Sequence, residues 1–373
     1  MKQIALVLLL TTAAALAQFN RPDRLVSPEV LSDHRVTFRL RAPKATEVTI
    51  LGDWMAPNAP LPMTRDDQGV WSITTGPLEP GLAIYSYTVD GVSIVDPINP
   101  RIKLRARTSA SMVDVPGNPP ELWQARDVPH GTVEVNWEKS KVIGDTRAYY
   151  VYTPPGYDQK RSARYPVLYL LHGNNDTAAG WTDVGKANYI LDNLIAEKKA
   201  VPMIIVMPWG HAVPYDGPQS NNTAKVEQYL LEDIIPQVEK KYRVASGRKN
   251  RVIVGLSMGG GHALQIGLSH IDLFSSVGAF SFAVPGNFET RFKTLLDNPK
   301  GTNAKLNLVW LGCGRQDPAF ERNKGISELL TKHQIENTFY PMEGRHNYSV
   351  WRRCLSEVAP LLFQEKPKSK PSR

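Results

Sequence analysis

The chain has 373 residues, which is long for one ordinary globular domain and favours two. Apolar residues make up 42% of it, which excludes a largely disordered protein. The net charge of +8 would suit a nucleic-acid partner, but the basic residues are dispersed apart from the tail KPKSKPSR. We therefore expect no nucleic acid to bind.

The N-terminal residues 1–17 predict a secretory signal peptide. They contain one early Lys, a short apolar run and Ala15-Leu16-Ala17 before Gln18, an A-x-A-like cleavage site. No later segment reaches the roughly 20 apolar residues that a membrane span needs. We expect a secreted or periplasmic protein without a membrane anchor, and the oligomeric state stays open.

Residues 18–118 predict a small all-β module. Segments such as RVTFRLRAP, EVTILGDW, GVWSITT and AIYSYTVDG alternate apolar and polar residues between turn signals. About seven short strands at this spacing indicate an immunoglobulin-like β-sandwich. We expect its aromatic residues to form its own core rather than a sugar platform: Trp54, Trp71, Tyr85 and Tyr87. Residues 119–135 follow as a linker.

Residues 136–365 predict an α/β domain, and residues 366–373 a basic disordered tail. Apolar strands such as PVLYLLHG and RVIVGLS alternate with amphipathic stretches such as ANYILDNLIAEKKA and YSVWRRCLSEVAPLLF. Strands that are apolar on both faces are expected where helices cover a mostly parallel sheet. The alternation predicts a doubly wound fold.

The segment Gly255-Leu256-Ser257-Met258-Gly259 fits the G-x-S-x-G pattern of a nucleophile elbow. It follows a buried-strand pattern and begins a helical one, which is the context that the elbow requires. The flanking glycines allow a sharp turn, and the helix N-terminus directs N–H groups at developing negative charge. We interpret Ser257 as a nucleophile, with a structural turn serine as the alternative.

A base for Ser257 is expected later in the chain, since this fold class orders its triad as Ser, acid, His. Four histidines follow Ser257. His262 and His270 belong to the elbow helix, and His333 lies in an amphipathic stretch that suits a solvated face. His346 follows the last strand pattern in GRHNY, so we predict it as the base rather than as a surface-loop histidine.

The acid is expected on a loop after an intervening strand. Asp317 follows the strand LNLVWLGCG and precedes a helix, so capping that helix is its alternative role. Glu321 and Glu343 are the fallback candidates. We predict that Asp317 holds the tautomer of His346 and stabilises its imidazolium form.

An oxyanion hole needs two N–H donors. The first is predicted at Met258, after the nucleophile. The second is predicted at Asn174 in LLHGNND, where Gly173 permits a close approach of the chain. His172 is interpreted as a structural residue of this turn.

The motifs HGNND, GLSMGG, GCGRQD and GRHNYSVWRRCL, in this order, resemble carbohydrate esterase family 1. That group includes feruloyl esterases, acetylxylan esterases and mycolyltransferases. The resemblance covers residues 133–363 and implies an α/β-hydrolase fold, the triad Ser257, Asp317 and His346, and an oxyanion hole of Asn174 and Met258. One departure is Tyr348, where the family often carries Trp in H-x-W.

The front segment resembles the early-set module of carbohydrate-binding family 48. The similar pieces are VTFRLRAPKATEVTILGDW, PMTRDDQGVWSIT and YSYTVDGVSIVDPINP. The two-module arrangement resembles secreted bacterial feruloyl esterases, which implies plant cell-wall polysaccharide such as arabinoxylan as the partner.

Aromatic and sulfur side chains add further expectations. Four aromatic residues fall near loops at the expected functional edge and could stack on a ferulate ring or a sugar, with a core role as the alternative: Trp181, Trp209, Tyr348 and Trp351. If Asp317 and His346 meet, Cys313 and Cys354 come close, and a disulfide between them is one hypothesis.

The motifs predict an ester hydrolase that acts through an acyl-enzyme, and the resemblance implies feruloyl esters as its substrates. No metal-ligand or phosphate-binding motif is present, so no metal and no cofactor are expected. Acetylxylan esterase is the close alternative, siderophore esterase a more remote one, and a glycan-binding protein that has lost catalysis is an alternative from another class.

Overall fold

The structure, a computed structural model, describes residues 25–215 and 219–364. The predicted signal peptide and basic tail lie outside the described residues. The described residues form two compact units: the first comprises residues 25–79 together with 85–101, and the second comprises 80–84 together with the described residues from 102 to 364.

The first unit is an all-β sandwich. Its strands are β1 (Glu29–Val30), β2 (Val36–Arg41), β3 (Val48–Gly52), β4 (Leu61–Pro62), β5 (Thr64–Arg65), β6 (Val70–Thr75), β7 (Gly81–Val89, of which residues 85–89 belong here) and β8 (Val92–Ile94). One sheet has the order β1-β2-β6-β5, and the other pairs β3 with β4 and β7, and β7 with β8. The predicted sandwich is confirmed.

The core of this sandwich is aromatic, because inward-facing residues of alternating strands meet between its sheets. Tyr85, Tyr87 and Trp71 are buried. Trp54 is half-buried, and its ring stacks on that of Phe38 with centroids 5.8 Å apart. All four predicted aromatic residues therefore contribute to the core of the unit.

The second unit is an α/β domain. Its strands are β9 (Ile102–Lys103), β10 (Ala110–Val115), β11 (Thr132–Lys139), β12 (Thr146–Thr153), β13 (Val167–Leu171), β14 (Ile204–Met207), β15 (Arg251–Leu256), β16 (Ser276–Phe280), β17 (Leu308–Gly314) and β18 (Thr338–Met342). Its helices are α1 (Gly180–Asp183), α2 (Ala187–Ala196), α3 (Asn222–Tyr229), α4 (Ile235–Lys241), α5 (Ser257–Ser269), α6 (Phe288–Arg291), α7 (Lys293–Leu296), α8 (Pro299–Lys305), α9 (Phe320–Lys332) and α10 (Tyr348–Val358). A π-helical turn (Leu230–Ile234) joins α3 to α4, and short 3₁₀ turns occupy Arg248–Asn250 and Ala359–Leu361.

The large sheet has eight strands in the order β11-β12-β14-β13-β15-β16-β17-β18. Strand β12 is antiparallel to β11 and to β14, and the six strands β13 to β18 are mutually parallel. The predicted doubly wound, mostly parallel sheet is confirmed. Because the strands from β13 to β18 are parallel, their carboxyl ends meet at one edge, where open α/β folds place their ligands.

Strand β13 explains why the pattern VLYLL is apolar throughout. Val167, Tyr169 and Leu171 enter one hydrophobic core, while Leu168 and Leu170 enter the other. Successive side chains of a strand point to opposite faces, so a strand covered by helices on both faces buries every residue. In the part of the chain that is described, no helix has both the length and the apolarity to span a membrane.

Candidate active site

Ser257 lies at the junction of β15 and α5. Its backbone is left-handed, with φ of +52°. A Cβ on Gly255 would lie 2.2 Å from the carbonyl oxygen of Gly259, and a Cβ on Gly259 would lie 2.3 Å from that of His172. Both positions therefore require glycine, and the chain turns sharply enough to present Ser257 at the carboxyl edge of the sheet.

The structure brings Ser257, His346 and Asp317 together in a hydrogen-bonded line. Ser257 Oγ lies 2.9 Å from His346 Nε2, and His346 Nδ1 lies 2.8 Å from Asp317 Oδ2. The loops after β17 and β18, which are adjacent parallel strands, carry the acid and the histidine. This arrangement allows His346 to accept the proton of Ser257 while Asp317 orients its ring.

Asp317 faces His346, whereas the alternative that it caps α9 is wrong, since the N-cap of that helix is Ala319. Its Oδ1 accepts a hydrogen bond of 2.8 Å from Ala319 N, which stabilises the turn before α9, while Oδ2 faces His346. Its side chain has no exposed surface. Burial alone raises its pKa, but the hydrogen bonds from His346 and Ala319 outweigh burial and hold the pKa below the usual 3.8. Asp317 is therefore ionised at neutral pH.

The fallback acids lie elsewhere. Glu343 is exposed and accepts a hydrogen bond of 2.6 Å from Gln316 Nε2. Glu321 is exposed in the first turn of α9. The Nδ1 atom of His346 faces Asp317 instead, so neither glutamate occupies the position of the acid.

The two predicted oxyanion donors belong to segments that lie close to Ser257. Met258 is in the first turn of α5, where an N–H has no acceptor within the helix. The turn after β13 approaches the elbow closely, since a Cβ on Gly173 would lie 3.3 Å from Ser257 Cβ. Asn174 is the next residue of this turn and is exposed. Its role as the second donor stays a prediction.

The other histidines are held by contacts of their own. His172 is buried, with Nε2 accepting from Gly210 N at 2.9 Å and Nδ1 lying 2.9 Å from the carbonyl oxygen of Gly173. His262 is buried, and its Nδ1 lies 3.0 Å from Thr223 Oγ1. His270 Nε2 lies 2.7 Å from Glu227 Oε1. These contacts suit structural roles.

The aromatic candidates divide by exposure. Trp181 is completely buried and donates to the carbonyl oxygen of Leu171, and Tyr348 is also buried, so the prediction that they touch substrate is corrected to a core role. Trp351 is 6% exposed and packs edge-on against His346, with ring centroids 5.1 Å apart. Trp209 is half-buried beside the ring of His172 and stays a candidate for substrate contact.

The disulfide hypothesis is corrected, because Cys313 and Cys354 are both buried free thiols. Cys354 Sγ packs over Gly312, at 2.8 Å from where a Cβ would stand. Cys313, the next residue of β17, must point to the opposite face, and its Sγ lies 3.8 Å from Ser281 Oγ. Burial raises the pKa of Cys313 to about 12.

Three residues of this region were not found by sequence reasoning. The Ser281 hydroxyl, after β16, helps to lower the pKa of Asp317. Lys103 and Asp176 form a buried ion pair of 2.5 Å. Asp176 belongs to the motif HGNND and could have been noticed there, but nothing in the local sequence marks Ser281 or Lys103. Among the residues that the structure describes, no group of three or more His, Cys, Asp or Glu side chains is arranged to hold a metal.

Two family matches divide the chain. Residues 140–362 match the family described as putative esterase, and residues 26–103 match carbohydrate-binding module 48, the isoamylase N-terminal domain. An endo-1,4-beta-xylanase/feruloyl esterase of Xylanibacter ruminicola is 30% identical over 345 residues, which cover 90% of this chain and 46% of the relative. A Corynebacterium glutamicum protein of no described activity is 26% identical and 56% covered, so the chain spans about half the length of these relatives.

Solved structures share the fold. A CE1 ferulic acid esterase from Anaeromyces mucronatus, solved with ferulic acid, is 26% identical with a TM-score of 0.57, covering 64% of this chain and 93% of that one. The enterobactin esterase of Shigella flexneri is 18% identical with a TM-score of 0.65, covering 88% and 92%, which shows the fold alone.

These matches confirm the resemblance that the motifs indicated, for the α/β domain and the front module alike. The esterase family matches well over half of the chain. The chain therefore belongs to the putative esterase family.

Proposed function

We propose that this protein is an exported serine esterase that hydrolyses feruloyl esters of plant cell-wall polysaccharide such as arabinoxylan. The observation that carries the proposal is the line Ser257–His346–Asp317, with contacts of 2.9 and 2.8 Å. The acyl group is inferred from relatives named as feruloyl or ferulic acid esterases at 26–30% identity.

The mechanism follows from the roles of these side chains. Ser257 Oγ attacks the ester carbonyl while His346 Nε2 takes its proton, and the N–H groups of Met258 and Asn174 stabilise the oxyanion. His346 then donates this proton to the sugar oxygen as the ester bond to the sugar breaks, which leaves the feruloyl group esterified to Ser257 Oγ. A water molecule, activated by His346, releases the acid and restores the serine.

The serine mechanism is tested by Ser257→Ala. Hydrolysis of methyl ferulate should fall by about 10⁴-fold or more, because the nucleophile is lost while binding remains. Ser269→Ala is the matched control, since Ser269 is an exposed serine at the other end of the same helix and should keep wild-type activity. A phosphonate probe should label the wild type at Ser257. A protein that resists labelling would instead be a glycan-binding protein.

The acyl preference is tested separately, by comparing kcat/KM for methyl ferulate with that for acetylated xylan. We expect faster release of ferulate. Faster release of acetate would replace the feruloyl assignment by an acetylxylan esterase, with the same serine mechanism.

A further inference from the structure

A buried ion pair lies beneath the candidate site. Lys103 Nζ is 2.5 Å from Asp176 Oδ1, and the two side chains are 8% and 5% exposed. The other oxygen of Asp176 accepts a hydrogen bond of 2.9 Å from the hydroxyl of Tyr348, whose ring centroid lies 5.0 Å from Lys103 Nζ. Burying two charges costs several kcal/mol for each ion, and apolar side chains in their place often give equal stability. Stability alone therefore does not explain this pair.

The ends of this network reach both halves of the catalytic machinery. Asp176 closes the turn that contains Asn174, since its N–H donates to the carbonyl oxygen of Gly173 at 3.1 Å. Tyr348 is the first residue of α10, two residues after His346. One carboxylate therefore links the turn of a predicted oxyanion donor to the loop of the base.

The surrounding packing leaves this arrangement little freedom. A Cβ on Gly180 would lie 2.7 Å from the Tyr348 hydroxyl and 3.2 Å from Asp176 Cγ, so the backbone of α1 covers both groups. The ring of Trp351 packs edge-on against His346 and Tyr348, with centroids 5.1 and 5.0 Å away. A shift of Tyr348 would therefore reach the ring of His346 through Trp351.

We propose that Lys103, Asp176 and Tyr348 form a positioning network that keeps the Asn174 N–H and the His346 ring in register for ester hydrolysis. The proposal rests on the proposed serine mechanism. Asp176 contacts both loops, and Lys103 lies against its carboxylate as the paired cation. Misplaced N–H donors and a misplaced base stabilise the transition state less, while the binding of the substrate changes little. Disruption of the network should therefore lower kcat more than it changes KM.

The test uses the full chain, with active sites titrated by a serine phosphonate so that kcat is counted per reactive site. On methyl ferulate, Tyr348→Phe should lower kcat about tenfold and Lys103→Met about 10–100-fold, with KM changed less than about threefold. Tyr152→Phe is the matched control: its hydroxyl also donates to a buried carboxylate, Asp192 at 2.7 Å, and its kcat should change less than about twofold.

The double variant Lys103→Met/Asp176→Asn keeps the test decisive if Lys103→Met does not fold. It removes both charges, so no unpaired ion is buried, and the amide oxygen introduced at position 176 still offers Tyr348 an acceptor. Its kcat should exceed that of Lys103→Met severalfold, or, if that variant is unfolded, should equal that of Tyr348→Phe or exceed it. Wild-type kcat per titrated site in Tyr348→Phe, with only a lower melting temperature, would overturn the network and leave the serine mechanism intact. A wild type that the phosphonate fails to titrate would overturn the serine mechanism itself, and the network with it.

Discussion

The proposed reactivity of Ser257 depends on its backbone as much as on its hydroxyl. A left-handed φ costs a residue with a Cβ about 1–2 kcal/mol, and the glycines at 255 and 259 allow the neighbouring chain to maintain this conformation. In return, Oγ is directed towards His346 at 2.9 Å. The glycine pattern in the sequence indicates this strained turn, because the backbone approaches both glycines too closely to leave room for a Cβ.

Asp317 couples the site to the stability of the fold. Its folded pKa lies below 3.8, so it binds fewer protons in the folded than in the unfolded chain between these two values. The stability that it contributes is therefore present above the unfolded pKa and is lost as pH falls through the folded one. We expect Asp317→Asn to lower the free energy of unfolding at pH 6, and the deficit to shrink below about pH 3.8.

Urea unfolding of the wild type and of Asp317→Asn at both pH values checks this expectation. The same variant should lose kcat on the order of 10⁴-fold at pH 6, because His346 is no longer held in the correct tautomer. A deficit that stays constant or grows towards acid would contradict the depressed pKa.

At the residue scale, the triad candidates could be found because each follows a strand closely, and their catalytic roles stay predictions. Ser257, Asp317 and His346 each lie within a few residues of the end of a parallel strand, so the common edge of the sheet brings them together. Lys103 and Ser281 reach the site from distant segments, and a contact over such a separation leaves no local pattern. Trp181 and Tyr348 were candidates for substrate contact with a core role left open, and both are buried, because loop aromatics can fill the core beneath a site.

The turn from β15 to α5 depends on two backbones in contact. Gly259→Ala would place a Cβ 2.3 Å from the carbonyl oxygen of His172 and 2.7 Å from that of Leu171, which a backbone cannot vacate cheaply. We expect its free energy of unfolding to fall by at least the about 1–3 kcal/mol that overpacking a core costs. It should also lose most of its activity.

Gly325→Ala provides the matched control for this change. Gly325 lies within α9, and a Cβ there would meet no atom within 4 Å. Alanine should therefore raise the free energy of unfolding by about 0.5–1 kcal/mol through helix propensity. Thermal unfolding and methyl ferulate hydrolysis measure both variants, and equal effects at the two sites would refute the packing argument.

Element-level prediction found the long, strongly patterned segments and missed the short ones. Strand β16 (Ser276–Phe280) reads SVGAF, in which small residues weaken the strand signal. Helices α6, α7 and α8 have four to seven residues, too few to display a helical period. Strand β11 begins at Thr132, within the predicted linker, because an exposed edge strand lacks the apolar pattern of its buried neighbours.

The sequence analysis predicts the boundary between the two modules near residue 118, whereas the boundaries of the two compact units lie earlier along the chain. Residues 80–84 and those from 102 onwards belong to the second unit. Leu82, Ile84, Ala110 and Met112 are buried in the same hydrophobic core as Trp181 and Tyr348. A change from β pattern to α/β pattern marks where element types change, and it does not reveal which core a strand enters.

This organisation predicts how truncation affects the esterase domain. A chain of residues 119–364 would lack Leu82, Ile84 and Met112, each contributing about 1.5–3 kcal/mol by burial, and would leave Asp176 without Lys103. The combined loss is comparable with the free energy of unfolding of a folded domain, about 5–15 kcal/mol. A chain of residues 102–364 keeps Lys103 and Met112 and should have intermediate stability, while a chain that lacks only residues 365–373 is the control for the C-terminal end that the other two share. Thermal unfolding of the three truncated chains beside the full chain measures this order, and a 119–364 chain that melts with the full chain would show that the second unit does not need these strands.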